Sequence, residues 1–144
     1  MNELLAEARA LSGDFDQLSQ AVAERVGLSP IELLAMDLVS TVGSLSAGQL
    51  ARELRLTTGA ITGLVDRLER AGFAKRVADP DDRRRVLVTA TSKERKVGEL
   101  YAPLAVGLRR VIDQYSDRDL ATLADFIHRF RSAVAETTAK LPRA

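Results

Sequence analysis

The sequence predicts a mainly α protein with one small β-hairpin. Three observations predict it. Apolar residues recur at steps of three and four along most of the chain, the mark of amphipathic helices. Alternation with a period of two replaces that pattern only at Phe73–Val77 and Val86–Thr89, on either side of a turn rich in Pro, Asp and Arg. Helix-start residues (Ser29, Ser46, Thr91 and Ser116) stand ahead of later helical stretches.

The first 26 residues read as a helix, with Leu4, Ala8, Leu11, Phe15, Leu18, Val22 and Val26 forming a narrow apolar seam. Gly13 interrupts it at a cost of about 1 kcal/mol relative to Ala, and Gly27 closes it. Ser29-Pro30-Ile31-Glu32 opens a second helix: Ser29 caps, Pro30 fits the first turn, and Glu32 completes a capping box. Its expected buried face is Ile31, Leu34, Leu38 and Val42, and Gly43 stops it. Ser46-Ala47-Gly48-Gln49 repeats the box for a short third helix that turns Leu50, Ala51 and Leu54 inward. Leu56-Thr57-Thr58-Gly59 then turns the chain into a fourth helix with Ile61, Leu64, Val65 and Leu68 on one face, ended by Gly72.

The two alternating stretches pair as a hairpin whose tip runs from Ala78 to Arg85. Thr91-Ser92-Lys93-Glu94 reads as a third capping box opening a long fifth helix, kinked at Pro103. Ser116 caps a sixth helix carrying Leu120, Leu123, Ile127, Phe130 and Val134, and the tail TTAKLPRA is expected to fray. The helices at the two ends carry more apolar stripe than one small core needs. They are expected to pack together and against a second copy, the other reading being a single monomer core.

Composition bounds the function. A chain of 144 residues, 46% hydrophobic and 28% charged, is globular and fits one domain over 1–144. The absence of Cys excludes a thiol nucleophile, a disulfide scaffold, a zinc finger and a thiol redox sensor. A single His leaves little for a His-based metal site, and no cofactor is expected. No apolar run approaches the about 18 residues of a membrane span. The opening MNELLAEARA is acidic and unlike a signal peptide, so the cytoplasm is the expected location. The formal charge of +1 by itself disfavours a nucleic-acid partner, but it is an average. Residues 1–45 carry −5, residues 46–91 carry +3 and residues 92–144 carry +3.

The basic middle has the order of a winged helix-turn-helix: short helix, turn, second helix, basic hairpin. In such a unit the second helix enters the major groove with its N-terminal residues at the base edges. Thr57, Thr58, Gly59 and Thr62 supply hydroxyls, methyls and close approach there, with no carboxylate until Asp66. Capping alone explains Thr57 but not Thr62 followed by Gly63, both poor helix formers on an exposed face. At the hairpin tip, Arg83, Arg84 and Arg85 are suited to a narrow minor groove. Alternation prevents all three from entering it, and one is expected to be held by Asp82, stiffening the wing. A solvated charge run with local ion pairs is the bland alternative. The predicted architecture is therefore a winged helix-turn-helix DNA-binding region (29–91) flanked by N- and C-terminal dimerisation helices (1–27 and 92–140).

The stretch Leu50–Thr91 resembles the MarR family of transcriptional regulators. The resemblance is carried by GAITGLVDRLERAGF, by Arg76, and by DPDDRRRVLV, with Asp82-Arg83-Arg84 at the family's spacing from Thr91. Ala90 stands where the family usually has Leu, and Gly63 where it usually has Arg. The second departure implies readout by hydroxyls, DNA shape and the wing. The resemblance implies a homodimer that places two winged domains on a palindromic double-stranded DNA site, with half-sites roughly 10 bp apart. It further implies a repressor, less often an activator, released by a small aromatic or lipophilic effector. Phe15, Met36 and Tyr101 are candidate liners of the effector pocket by that analogy and ordinary core by pattern alone. Without Cys, the family's thiol-sensing mode is excluded.

Two other classes compete. A winged-helix protein-interaction module that no longer binds DNA draws support from Gly63 and the near-neutral charge, but it has no use for Arg83–Arg85. An enzyme would rest on His128, which has no evident orienting partner in the sequence, and the carboxylates lack metal-ligand spacing, so no catalytic or metal site is expected.

Overall fold

The computed structural model describes residues 2–142. The element order is α1 (Asn2–Val26), α2 (Pro30–Val42), β1 (Leu45–Ser46), α3 (Ala47–Glu53), α4 (Thr58–Arg70), β2 (Ala74–Ala78), β3 (Val86–Ala90), a 3-10 turn (Ser92–Glu94), α5 (Arg95–Ile112) and α6 (Asp117–Lys140). The mainly α class with a small β wing is as the sequence predicts. Two compact units divide within α5, one ending at Leu100 and the other beginning at Tyr101. Residues 143–144 of the tail lie outside the described residues. The TTAK part of that tail continues α6, which runs to Lys140.

In the first unit, one core joins α2, α3, α4 and the sheet. Leu50, Ile61, Leu64, Val65, Leu68, Phe73 and Val88 are essentially inaccessible to solvent. The buried face of α4 is the expected one. That of α2 is not: Leu33, Ala35, Met36 and Val39 are buried, while Leu34 and Val42 are exposed. Ile31 and Leu38 pack at the edge of the core. In α1, Val22 and Ala23 near the C-terminal end are buried, while Leu4, Leu11 and Phe15 are exposed.

Local chemistry fixes the ends of the elements. The boxes at Ser29/Glu32 and Ser46/Gln49 both form, each with its two reciprocal hydrogen bonds. Gly27, Gly43 and Gly72 take positive φ at the exits of α1, α2 and α4, where a Cβ would be strained. The turn between α3 and α4 lies one step earlier than expected. Arg55 holds the left-handed conformation at φ 56°, Thr57 caps α4, and Gly59 is already helical. Thr91 does not form the expected box. Its hydroxyl accepts from Lys93 N (3.2 Å) and donates to Gly72 O (2.7 Å), while the Glu94 carboxylate accepts instead from Ser40 Oγ of α2.

The hairpin is part of a three-stranded antiparallel sheet of order β1-β3-β2. Leu45 pairs with Val88 on one side and Arg76 pairs with Val88 on the other. β1 was not expected, since two residues carry no periodicity; it exists through its pairing with β3.

In the second unit, α6 is capped by Ser116, whose Oγ accepts from Asp119 N at 3.2 Å. Phe126 and Phe130 stack with ring centres 6.1 Å apart. No described residue of α5 or α6 is buried. Val106, Leu108, Val111, Ile127 and Val134 are each half or more exposed. Among the described residues, no helix is long and apolar enough to cross a membrane.

Candidate nucleic-acid interface

The second helix of the helix-turn-helix is α4, set against the core by its four apolar residues. Thr58, Gly59, Thr62, Asp66 and Arg70 face solvent, and Gly63 is half-buried. The three threonines are not equivalent. Thr57 Oγ1 accepts from Ala60 N at 3.3 Å and is the cap. Thr62 Oγ1 donates to Thr58 O at 2.9 Å, so its proton is used within the helix and its acceptor lone pairs remain. The Thr58 hydroxyl makes no hydrogen bond to another described residue, which leaves it free to donate and accept at the helix N-terminus.

The acids of α4 are gathered by one cation. Arg76, on β2, places Nη2 2.7 Å from Asp66 Oδ1 and Nη1 against Glu69 Oε2, and its backbone N–H donates to Glu69 Oε1 at 2.8 Å. The hydrogen bond to Asp66, helped by the Glu69 charge, holds the Arg76 guanidinium above its ordinary range despite some desolvation. This clamp ties the base of the wing to the last turns of α4. Its sequence signal was Arg76 itself, but neither partner is evident from spacing.

A second ion pair lies on the other flank. Glu32 is buried, and its Oε2 accepts from Ser29 N at 2.8 Å while Oε1 lies 2.5 Å from Arg67 Nε. Burial pushes this carboxyl up. The Ser29 N–H, the Arg67 guanidinium and the Ser29 hydroxyl outweigh it and hold the group below its ordinary value. Glu32 thus completes a helix cap and joins α2 to α4. Only its capping role was legible.

The wing tip is braced by acids. Asp82 Oδ1 accepts from Arg84 N at 3.0 Å and from Arg84 Nε at 3.3 Å, yet the Arg84 side chain is 92% exposed. Asp79, missed in the sequence, is buried at the root of the tip. It accepts from Asp81 N at 2.9 Å and lies 3.7 Å from Arg85 Nη1. Backbone bonds from Asp79 N to Arg85 O (3.0 Å) and from Arg85 N to Asp82 O (2.8 Å) close the loop. Arg85 is therefore tethered, Arg84 is braced and outward, and Arg83 is exposed without a side-chain partner among the described residues.

Of the candidate effector residues, Met36 lies in the core, Phe15 is 47% exposed on α1, and Tyr101 belongs to the second unit, half-buried. No group of three or more His, Cys, Asp or Glu suited to a metal ion occurs among the described residues.

This geometry defines a winged helix-turn-helix protein, and comparison with known proteins gives the family. Residues 26–85 match the MarR family. YcgE, an HTH-type transcriptional regulator of Bacillus subtilis (strain 168), is 34% identical over 123 residues, 85% of this chain and 80% of that protein. A MarR family protein from Bacillus stearothermophilus has a similar fold, with a TM-score of 0.72 at 23% identity over 93% of this chain and 94% of that one. A mutant of S. aureus MepR bound to an oligodeoxyribonucleotide aligns with a TM-score of 0.61 at 18% identity, covering 93% and 98%. The chain belongs to the MarR family of transcriptional regulators.

Proposed function

We propose that this chain binds double-stranded DNA as a homodimer and acts as a repressor on a palindromic operator, from which a small aromatic or lipophilic effector releases it. The observation that carries the DNA reading is the wing tip. A carboxylate that grips Arg84 by its backbone N–H and Nε leaves the guanidinium outward and pre-ordered, suited to a narrow minor groove. Thr58, Gly59 and Thr62 supply the major-groove face, and Thr57 sets the start of the helix that carries them. Arg83 meets a phosphate, and Arg85 stiffens the wing through Asp79.

The uncovered apolar faces of α5, α6 and the N-terminal half of α1 support a second copy. Phe15, Met36 and Tyr101 are the residues proposed for the effector site, on the family analogy. Cytoplasmic location and the lack of enzymatic activity follow from the same regulatory reading.

The test is selection of genomic DNA fragments by the purified full chain. A palindromic motif is expected, with Arg84→Ala weakening its binding more than Arg85→Ala. Recovery of no enriched motif would reject DNA binding in favour of a protein-docking wing.

A further inference from the structure

We infer that Arg67 is a contact to the DNA phosphate backbone positioned by Glu32, and that Gly63 keeps its space open; this rests on the DNA-binding reading above. Arg67 lies one helical turn after Gly63, on the flank of α4 away from the Arg76 clamp. Its Nε is held 2.5 Å from the buried Glu32 carboxylate, yet half of the side chain remains exposed. Its remaining N–H groups donate to no other described residue.

The guanidinium reaches back over Gly63. A Cβ at position 63 would lie 3.5 Å from Arg67 Nη1 and would meet no other neighbour within 4 Å. Any longer side chain there would compete for the space that this guanidinium occupies. A guanidinium with one N–H fixed and the others outward is ordered before it binds, so it loses little freedom on meeting an anion. The N-terminal turn of such a helix faces base edges. Arg67, in the third turn and off the centre of the outer face, falls where the sugar–phosphate backbone borders the groove.

A net-charge account makes the opposite prediction for Glu32. Removing its negative charge would then tighten binding, whereas loss of a positioning group weakens it.

The test titrates the full chain against a duplex recovered by the selection, over a range of KCl, with melting measured for each variant. Arg67→Met is expected to lose about tenfold in affinity and to lower the log–log salt slope by about one, uniformly across operator sequences. Glu32→Gln is expected to bind severalfold more weakly with the slope kept, because the Arg67 charge stays but is no longer held. Gly63→Leu gains about 1 kcal/mol of helix propensity, which offsets part of the loss of the Glu32–Arg67 pair, and it is expected to stay folded at the titration temperature and still to lose affinity. That separates contact from folding should Arg67→Met be unstable. Wild-type affinity in Arg67→Met or Gly63→Leu, or tighter binding by Glu32→Gln, would overturn the inference alone. A wild-type chain that binds no duplex would overturn it together with the reading on which it rests.

Discussion

Replacing Arg76 by Met removes the cation that holds Asp66 and Glu69, and its effects on folding and on binding differ in kind. Both ion pairs are partly exposed, so each contributes about 0–1 kcal/mol to stability. The loss of up to about 2 kcal/mol lowers the melting temperature by about 2–4 °C per kcal/mol for a chain of this size. The effect on DNA binding is expected to be the loss of one positive charge beside the helix proposed to face the groove. One charge about 10 Å from a phosphate contributes about 0.4 kcal/mol at a water-like dielectric and about 1.7 kcal/mol at a surface-like one. That is about a two- to twentyfold loss of affinity at low salt. At about 0.1 M salt the same distance is one Debye length, and the effect shrinks. Fluorescence anisotropy with a labelled operator duplex at two salt concentrations measures it. The decisive comparison is the triple variant Asp66→Asn, Glu69→Gln, Arg76→Met, which removes the exposed acids as well. If Arg76 acts by cancelling charge, the triple variant binds at least as tightly as wild type at low salt. If it stays as weak as the single variant while both remain folded, charge cancellation is wrong and the clamp acts by holding the wing.

Three further outcomes are expected. Phe130→Glu places a charge on the α6 face, where Phe130 is 43% exposed; if the proposed dimer forms through this face, analytical ultracentrifugation should find wild type as a dimer and the variant as a monomer, and two equal masses would count against this face. Gly72→Ala forces a Cβ onto a backbone with φ +77° and should cost about 1–2 kcal/mol in urea unfolding, with an unchanged midpoint refuting the strain. Glu32 has a folded pKa below its ordinary value of 4.5, so its contribution is present above that value and is lost as pH falls through the folded pKa. The stability advantage of wild type over Glu32→Gln should therefore hold from neutral pH to about 4.5 and then shrink, and an advantage that grew towards low pH would contradict the sign.

Legibility in the sequence followed the range of the interactions. The caps at Ser29 and Ser46 act over three residues and were readable because a hydroxyl and an acceptor at that spacing satisfy the free N–H groups of a helix start. The face of α4 was readable because polar residues separate its apolar ones. The face of α2 was misread because Pro30–Val42 is apolar nearly all round. With little contrast, tertiary packing chose Leu33, Ala35, Met36 and Val39, a choice no local pattern carries. Thr91-Ser92-Lys93-Glu94 looked like a box, but Glu94 found Ser40, 54 residues away. Arg55 gave no turn signal, since it is not the Gly or Asn that φ > 0 favours. At the site, the threonines and wing arginines stood out by type. The partners Glu32, Glu69 and Asp79 did not, because a carboxylate's role depends on which arginine the fold brings to it.

That dependence changes the meaning of the net charge. Within residues 46–91 the acids reduce the total to +3, which looks like a weak field for a DNA-binding surface. In the folded chain, four of those acids have specific partners. Asp66 and Glu69 hold Arg76, Asp79 holds Arg85, and Asp82 braces Arg84. At the wing tip Asp79 and Asp82 fix where the Arg85 and Arg84 guanidinium groups stand, while Asp66 and Glu69 are matched by the Arg76 charge. An interface built this way gains less from long-range attraction and more from cations already in place, so its affinity should be more sensitive to losing a brace than to an equal change in net charge. A weak field also leads to the expectation that one winged unit binds duplex poorly alone. Joining two units on one duplex makes the second contact intramolecular, which strengthens binding without any new cation. The apolar faces exposed on α5 and α6 are the surface proposed above for that joining.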